Sequence, residues 1–202
     1  MMHSAMDSPP DPAPEAEPSA PGDLLLLQDL VNTRDVKPNT DELPDVASLR
    51  AWLVERGLVS DGEAGELGAA DLARVAAFRE ALRALLQANH GDPLDLAAAA
   101  LVNAEAQRTS LRVQVDREGG ARLQPGGRGL DRAIARMLGA IAAADVEGTW
   151  RRLKVCADSE CAWAYYDVSR NASRAWCSMA VCGNRNKARR FRKRGGAAPA
   201  SS

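Results

Sequence analysis

Four cysteines, Cys156, Cys161, Cys177 and Cys182, are the only cysteines in this 202-residue chain, and they all fall within 27 residues. Their spacing is C-x4-C, then fifteen residues, then C-x4-C. Two thiolates separated by a short loop reach one ion, and two such pairs complete the tetrahedron of a closed, structural zinc site. A catalytic zinc keeps one position open for water. Four cysteine ligands leave none, so the spacing predicts a scaffold holding one structural Zn2+. Zinc with four thiolates carries a formal charge of −2, and Lys154, Arg174 and Arg185 are candidates to neutralise it. A rival reading of the same thiolates is a redox or metal sensor that switches when zinc is released.

The residues around and after the cysteines carry a second kind of chemistry. From Trp150 to Arg194 there are twelve Lys and Arg against three acids, a net +9, which leaves −10 for the rest of a chain whose overall charge is −1. Six of the eight residues from Lys187 to Arg194 are basic. On a helical wheel, Asn184, Ala188 and Phe191 form one narrow stripe that is expected to pack on the zinc core. Arg185, Arg189 and Arg192 form a second stripe, and Lys187, Arg190 and Arg194 a third. A helix so basic, on a rigid module, suits a phosphate backbone or a DNA major groove. Arg outnumbers Lys nine to three in the segment, and Arg makes the bidentate contacts that phosphate and guanine take. No Ser/His/Asp set, Gly-rich phosphate loop or HExxH accompanies these features. The chain therefore reads as a binding protein and not an enzyme.

The elements that must position this module are mostly helical. Apolar content is 46%, dominated by Ala and Leu, with only 4% aromatic residues, a composition that favours helix. Residues 1–22 hold six of the eleven prolines, four acids and no Lys or Arg, and are expected to be a disordered tail. A helical domain is expected over 23–148. It starts with Leu24–Val31 and a helix capped by Asp45 and stopped at Gly57. A long helix follows from about Ala70 to Asn89, then one capped by Asp92 and Pro93, and a last one ending near Gly148. Asn32 is expected in the left-handed conformation at the end of the first helix, or else, with Asp29 and Arg34, lining a ligand pocket. Leu111, Val113 and Val115 alternate with polar residues, and Glu118-Gly119-Gly120 turns the chain into Ala121-Arg122-Leu123, which predicts one hairpin. The zinc module spans 149–194, with short strands at 154–156 and 163–167, a helix capped by Asn184 or Asn186, and a second tail at 195–202. Gly183 after the last cysteine is expected at positive φ. Trp163, Tyr165, Tyr166 and Trp176 are expected to be the module's small core, and His90 to cap a helix C-terminus.

The finger residues Arg170-Asn171-x-Ser173-Arg174-x-Trp176-Cys177-Ser178, followed by Cys182-Gly183-Asn184-Arg185-x-Lys187, resemble the CGNR zinc-finger family. Members of that family are regarded as stress-induced transcriptional regulators, chiefly bacterial, with an N-terminal helical domain called ABATE. Leu30-Val31-Asn32-Thr33-Arg34-Asp35 resembles that domain's opening motif, and Leu49-x-x-Trp52-Leu53 with Gly57-Leu58 is also similar to it. The resemblance implies Cys156, Cys161, Cys177 and Cys182 as ligands and Gly183-Asn184-Arg185 as the signature. It also implies a DNA-binding regulator responsive to stress or to a small-molecule effector.

Together these readings predict a mainly α protein, with a helical N-terminal domain containing one β-hairpin and a small four-cysteine zinc finger ending in a basic helix. Candidate nucleic-acid contacts are Arg170, Asn171, Arg174, Arg185, Lys187, Arg189, Arg190, Arg192, Lys193 and Arg194. DNA is the expected partner, with RNA or a protein partner as the alternative. No apolar run approaches the roughly 20 residues of a membrane span. The N-terminal stretch lacks the basic start and apolar middle of a secretory signal, so a cytoplasmic location is expected. Zinc removal is expected to unfold the finger and leave the helical domain largely helical.

Overall fold

The computed structural model describes residues 19–195, with side chains to Arg192. The tails expected at 1–22 and 195–202 fall almost wholly outside this range. Of the residues inside it, Ala20 is buried and its N–H donates to Gln28 Oε1.

Among the described residues, seven α-helices and three two-stranded antiparallel hairpins make the fold. In order they are α1 (Leu24–Asn32), the β1–β2 pair (Arg34–Asp35 with Thr40–Asp41), α2 (Val46–Glu55), α3 (Asp61–Gly65), α4 (Ala69–Ala88) and α5 (Leu96–Arg108). The β3–β4 hairpin (Leu111–Val115 with Ala121–Pro125), α6 (Gly129–Val146), the β5–β6 hairpin (Leu153–Val155 with Ala164–Tyr166) and α7 (Asn184–Gly195) follow. The sequence-derived elements are largely present. Asp45 caps α2 by accepting the Ser48 N–H, and Gly57 follows it at φ +60°. The sequence reading missed α3, although Ser60 and Glu63 form a reciprocal capping box there, a pattern visible as S-x-x-E. The helix expected to start at Asp92-Pro93 starts at Leu96 instead, because Asp95 accepts the N–H groups of both Ala97 and Ala98. Asn32 is the last residue of α1 rather than a left-handed end, and Thr33 after it stays right-handed helical.

α1, α2, α4, α5 and α6 bury one apolar core, with Leu27, Leu49, Phe78, Leu82 and Ile134 inaccessible or nearly so. Two arginines of α4 turn toward it, Arg79 buried and Arg83 partly buried. Arg79 forks onto Asp41 at 2.7 and 2.8 Å and donates to Thr33 Oγ1. Arg83 donates to the carbonyls of Val31 and Arg34, capping the end of α1. Both satisfy groups that α1 and the β1–β2 pair leave buried.

The β5–β6 hairpin has two buried faces. Strand alternation puts Leu153, Val155, Ala164 and Tyr166 on one side, and these join the helical core. On the other side Tyr165 packs against the cysteines, and Lys154, paired with it across the strands, reaches Asp167 and the Ala172 carbonyl. The free edge of β6 is closed by α1. Asn32 Nδ2 donates to the Ala164 carbonyl at 2.9 Å, and Asn32 Oδ1 accepts the Ala164 N–H at 2.7 Å. An asparagine amide here does the work of a neighbouring strand. At the end of α4, Asn89 donates to the carbonyls of Trp150 and Leu153, and the His90 ring N–H donates to the Val155 carbonyl. His90 thus holds β5 and does not cap its own helix. Replacing Asn32 with Ala would strand both buried backbone groups of Ala164, at a cost of about 2–4 kcal/mol. Urea unfolding of the Asn32→Ala protein should show that loss, with the β5–β6 amides the first to exchange.

Candidate zinc centre and nucleic-acid interface

Cys156 follows β5 directly, and its N–H donates to the Trp163 carbonyl, so the hairpin closes the first cysteine loop. The Asp158 carbonyl accepts the N–H groups of Cys161 and Ala162, and Ala162 takes φ +50° to bring the chain back into β6. The second pair sits in a different kind of structure. Cys177 precedes a single π turn, Met179–Gly183, that carries Cys182 and runs straight into α7. Ser178 caps this turn through the Val181 N–H. Neither Asn184 nor Asn186 is the N-cap; their amides instead donate back to the carbonyls of Ala180 and Cys182. Gly183 is not at positive φ. A Cβ there would meet the Met179 sulfur at 2.8 Å, the flexible end of a half-exposed side chain.

All four sulfurs lie within 4.8 Å of one another, and none is in a disulfide. Cys161 and Cys177 Sγ are 3.6 Å apart, Cys177 and Cys182 Sγ 3.8 Å. A tetrahedral zinc with bonds of about 2.3 Å has sulfur–sulfur edges of about 3.8 Å, so the donor set fits one zinc ion. Electrostatics points the same way. Hydrogen bonds from Cys161 and Cys177 hold the Cys156 thiol well below its ordinary value, and the same contacts push Cys161 and Cys177 up. Burial raises Cys182 as well. Four crowded thiols ionise together only around a cation. Tyr165, buried, and the half-buried Trp163 and Trp176 pack around the sulfurs, as expected of a small core. Tyr166 joins the helical core instead. Of the three cations proposed to neutralise the thiolates, Arg185 approaches Cys182 Sγ at 3.9 Å, and the Lys154 ammonium donates to Asp167 and the Ala172 carbonyl.

Two buried acids that the sequence reading had counted only against the positive charge organise the finger. Asp158 has a fully inaccessible side chain and takes Arg189 and, at 3.4 Å, Arg185. Glu160 takes Arg189 at 3.3 Å and also Lys37 of the β1–β2 turn at 3.4 Å. Asp167, equally inaccessible, accepts from Lys154, from Ser169 N–H and Oγ, and from the Arg174 N–H. Burial pushes its carboxyl up, but bonds from Ser169 and Lys154 win and hold it at about 2. The Arg174 side chain donates to the Trp176 carbonyl and lies over the Tyr165 ring.

These contacts turn α7 the opposite way from the wheel reading. The stripe of Asn184, Ala188 and Phe191 faces solvent, with Phe191 79% exposed. The face on the zinc module is Arg185, Asn186 and Arg189. The buried Asp158 and the exposed Glu160 carboxylates draw the two guanidinium groups inward. Of the candidate nucleic-acid residues, Arg174, Arg185 and Arg189 are therefore engaged within the finger. Arg170, Asn171, Lys187, Arg190 and Arg192 are exposed, while the side chains of Lys193 and Arg194 lie outside the described set. Asn32 and Arg34 are structural in their contacts, Asn32 at Ala164 and Arg34 at Asn39 and Asp41. A groove of about 790 Å³ lies elsewhere, between α6, β4 and the start of α1. No described helix is long and apolar enough to cross a membrane.

Comparison with known families adds to the geometry. The CGNR zinc finger model matches residues 152–195. The ABATE model, described as "Putative stress-induced transcription regulator", matches residues 25–148. A search of curated proteins finds no match.

The two ligand pairs differ in what holds them. The β5–β6 hairpin is fixed to the helical core without metal, whereas Cys177, the π turn and α7 are held through zinc and the Asp158 ion pairs. The protein should contain one zinc per chain. On its removal by a chelator, hydrogen exchange should accelerate across 175–195 while β5 and β6 stay protected. Loss of protection throughout the hairpin would contradict this division.

Proposed function

The chain belongs to the ABATE family and carries a CGNR zinc finger after that domain, and on that premise we propose that it is a bacterial cytoplasmic transcriptional regulator that binds DNA through α7. Its chain divides into a helical domain, 23–148, a zinc-ordered DNA-binding module, 149–194, and terminal segments outside both. The helical domain serves effector sensing, dimerisation or partner binding. The finger has no open metal position for catalysis, and its role is recognition.

The observation that carries this reading is the sorting of cations on α7. Arg185 and Arg189 are consumed by Asp158 and Glu160. Lys187, Arg190 and Arg192 are exposed, and among the described residues no ion pair is found for them. A helix that spends two arginines on fixing its own position and leaves the others open has the form of a phosphate-binding element. Arg170 and Asn171, exposed on the turn held by Asp167, supply a second point of contact on the same module.

The roles of the two sets separate by mutation. Replacing Lys187, Arg190 and Arg192 together with Ala should leave zinc content unchanged and weaken duplex DNA binding. If each cation meets one phosphate, the log–log salt slope should become shallower by about 2.7. Arg189→Ala should instead loosen α7 and lower zinc retention. Fluorescence anisotropy across a salt series, with zinc analysis of each protein, reads both. Undiminished affinity of the triple variant, or a flat salt response of the parent, would sink the proposal.

A further inference from the structure

α7 is built inside out. An ordinary surface helix turns its apolar residues inward and its charges to water, whereas here Arg185 and Arg189 face the module and the one aromatic side chain, Phe191, faces solvent. At 100° per residue, Asn184, Ala188 and Phe191 fall within about 60° of one another, and all three are exposed. Met179 and Val181, on the π turn that feeds the helix, are also open, at 47% and 56%. Arg190 and Arg192, adjacent to Phe191 in sequence, stand about 100° to either side of it. The outer face is thus a polar–apolar stripe with a cation on each flank.

The charge on the flanks selects the occupant. A second copy of this chain would bring Lys187, Arg190 and Arg192 against their own counterparts, so a homotypic contact is disfavoured. A lipid surface needs a broad apolar face, and this helix offers one large apolar side chain ringed by cations. A DNA major groove matches the arrangement. It admits an α-helix, its phosphates line both walls, and the base edge has one apolar feature, the thymine 5-methyl group. Asn184 donates its Nδ2 to the Ala180 carbonyl, which leaves Oδ1 to accept from the adenine N6 amino group.

We propose that the stripe of Asn184, Ala188 and Phe191 reads A·T base pairs in the major groove, with Phe191 and Ala188 against thymine methyl groups and Arg190 and Arg192 on the flanking phosphates. The inference rests on the DNA-binding reading and adds the chemistry of its specificity.

The test uses the full-length, zinc-loaded protein. Duplexes that bind it are selected from a random pool, and each is remade with deoxyuridine in place of every thymidine, which deletes only the methyl groups. The parent should bind the uracil duplexes roughly tenfold more weakly, about 1.4 kcal/mol, within the range for a base contact. Phe191→Ala should bring this ratio close to one at unchanged zinc content and salt slope, and Phe191→Leu should keep part of it. Equal affinity of the parent for the two duplex types overturns the inference and leaves DNA binding standing. So does a ratio that Phe191→Ala does not alter. Absence of any duplex binding overturns the DNA-binding reading and this inference together.

Discussion

A hairpin with three residues in each strand cannot hold itself together in water, so β5–β6 exists only because both of its faces and one of its edges are covered. Its Leu153, Val155, Ala164 and Tyr166 face completes the helical core, its Tyr165 face packs against the cysteine sulfurs, and Asn32 pairs with the backbone of Ala164. Strand periodicity makes this division possible, since successive side chains point to opposite faces. The finger is consequently not a bead on a string. Its first ligand leaves directly from a strand of the main core; Lys37 of the β1–β2 turn and Arg83 of α4 reach the first cysteine loop, and Asn89 and His90 at the end of α4 reach β5.

The finger's second half follows from where negative charge is buried. Zinc with four thiolates keeps a charge of −2, and Asp158, in the loop between Cys156 and Cys161, adds an inaccessible carboxylate. A buried charge persists only when paired, and the nearest mobile cations are those of α7. Arg185 and Arg189, four residues apart, lie on one helix face and meet Asp158 and Glu160 together. Their inward turn fixes the rotation of α7, and with it the outward direction of Lys187 and Phe191. Asp167 plays the same part for the 167–174 turn, where Lys154 and the Arg174 N–H meet its carboxylate.

The cysteine spacing, the helices and the long hairpin were legible because each has a local signature: paired thiols, periodic apolar residues, caps and strict alternation. The orientation of α7 was not. A wheel read by hydrophobicity puts Phe191 inward, since it cannot see that the surface beneath the helix is anionic. That knowledge needed Asp158 and Glu160, which lie about thirty residues away and look in sequence like minor offsets to a basic segment. The burial of Arg79 and Arg83 escaped for a similar reason. Their partners are the end of α1 and Asp41, distant groups whose needs appear only when the chain is folded. Asn32 stood out as polar in an apolar stretch, and only the position of β6 shows that its amide substitutes for a strand.

Zinc in this architecture orients more than it nucleates. In an isolated finger, metal binding supplies the folding energy of the whole module. Here the hairpin bearing Cys156 is already buried by the helical core, so the metal has a narrower task, which is to tie Cys177 and Cys182 to a ligand pair held in place. The π turn makes that task directional. Because Cys182 lies inside a turn continuous with α7, fixing its sulfur fixes the start of the helix axis, and the Asp158 ion pairs, centred on Arg189 two turns on, fix its rotation. Position and rotation of the exposed face are thus set by two independent interactions, both referred back to one hairpin in the helical core.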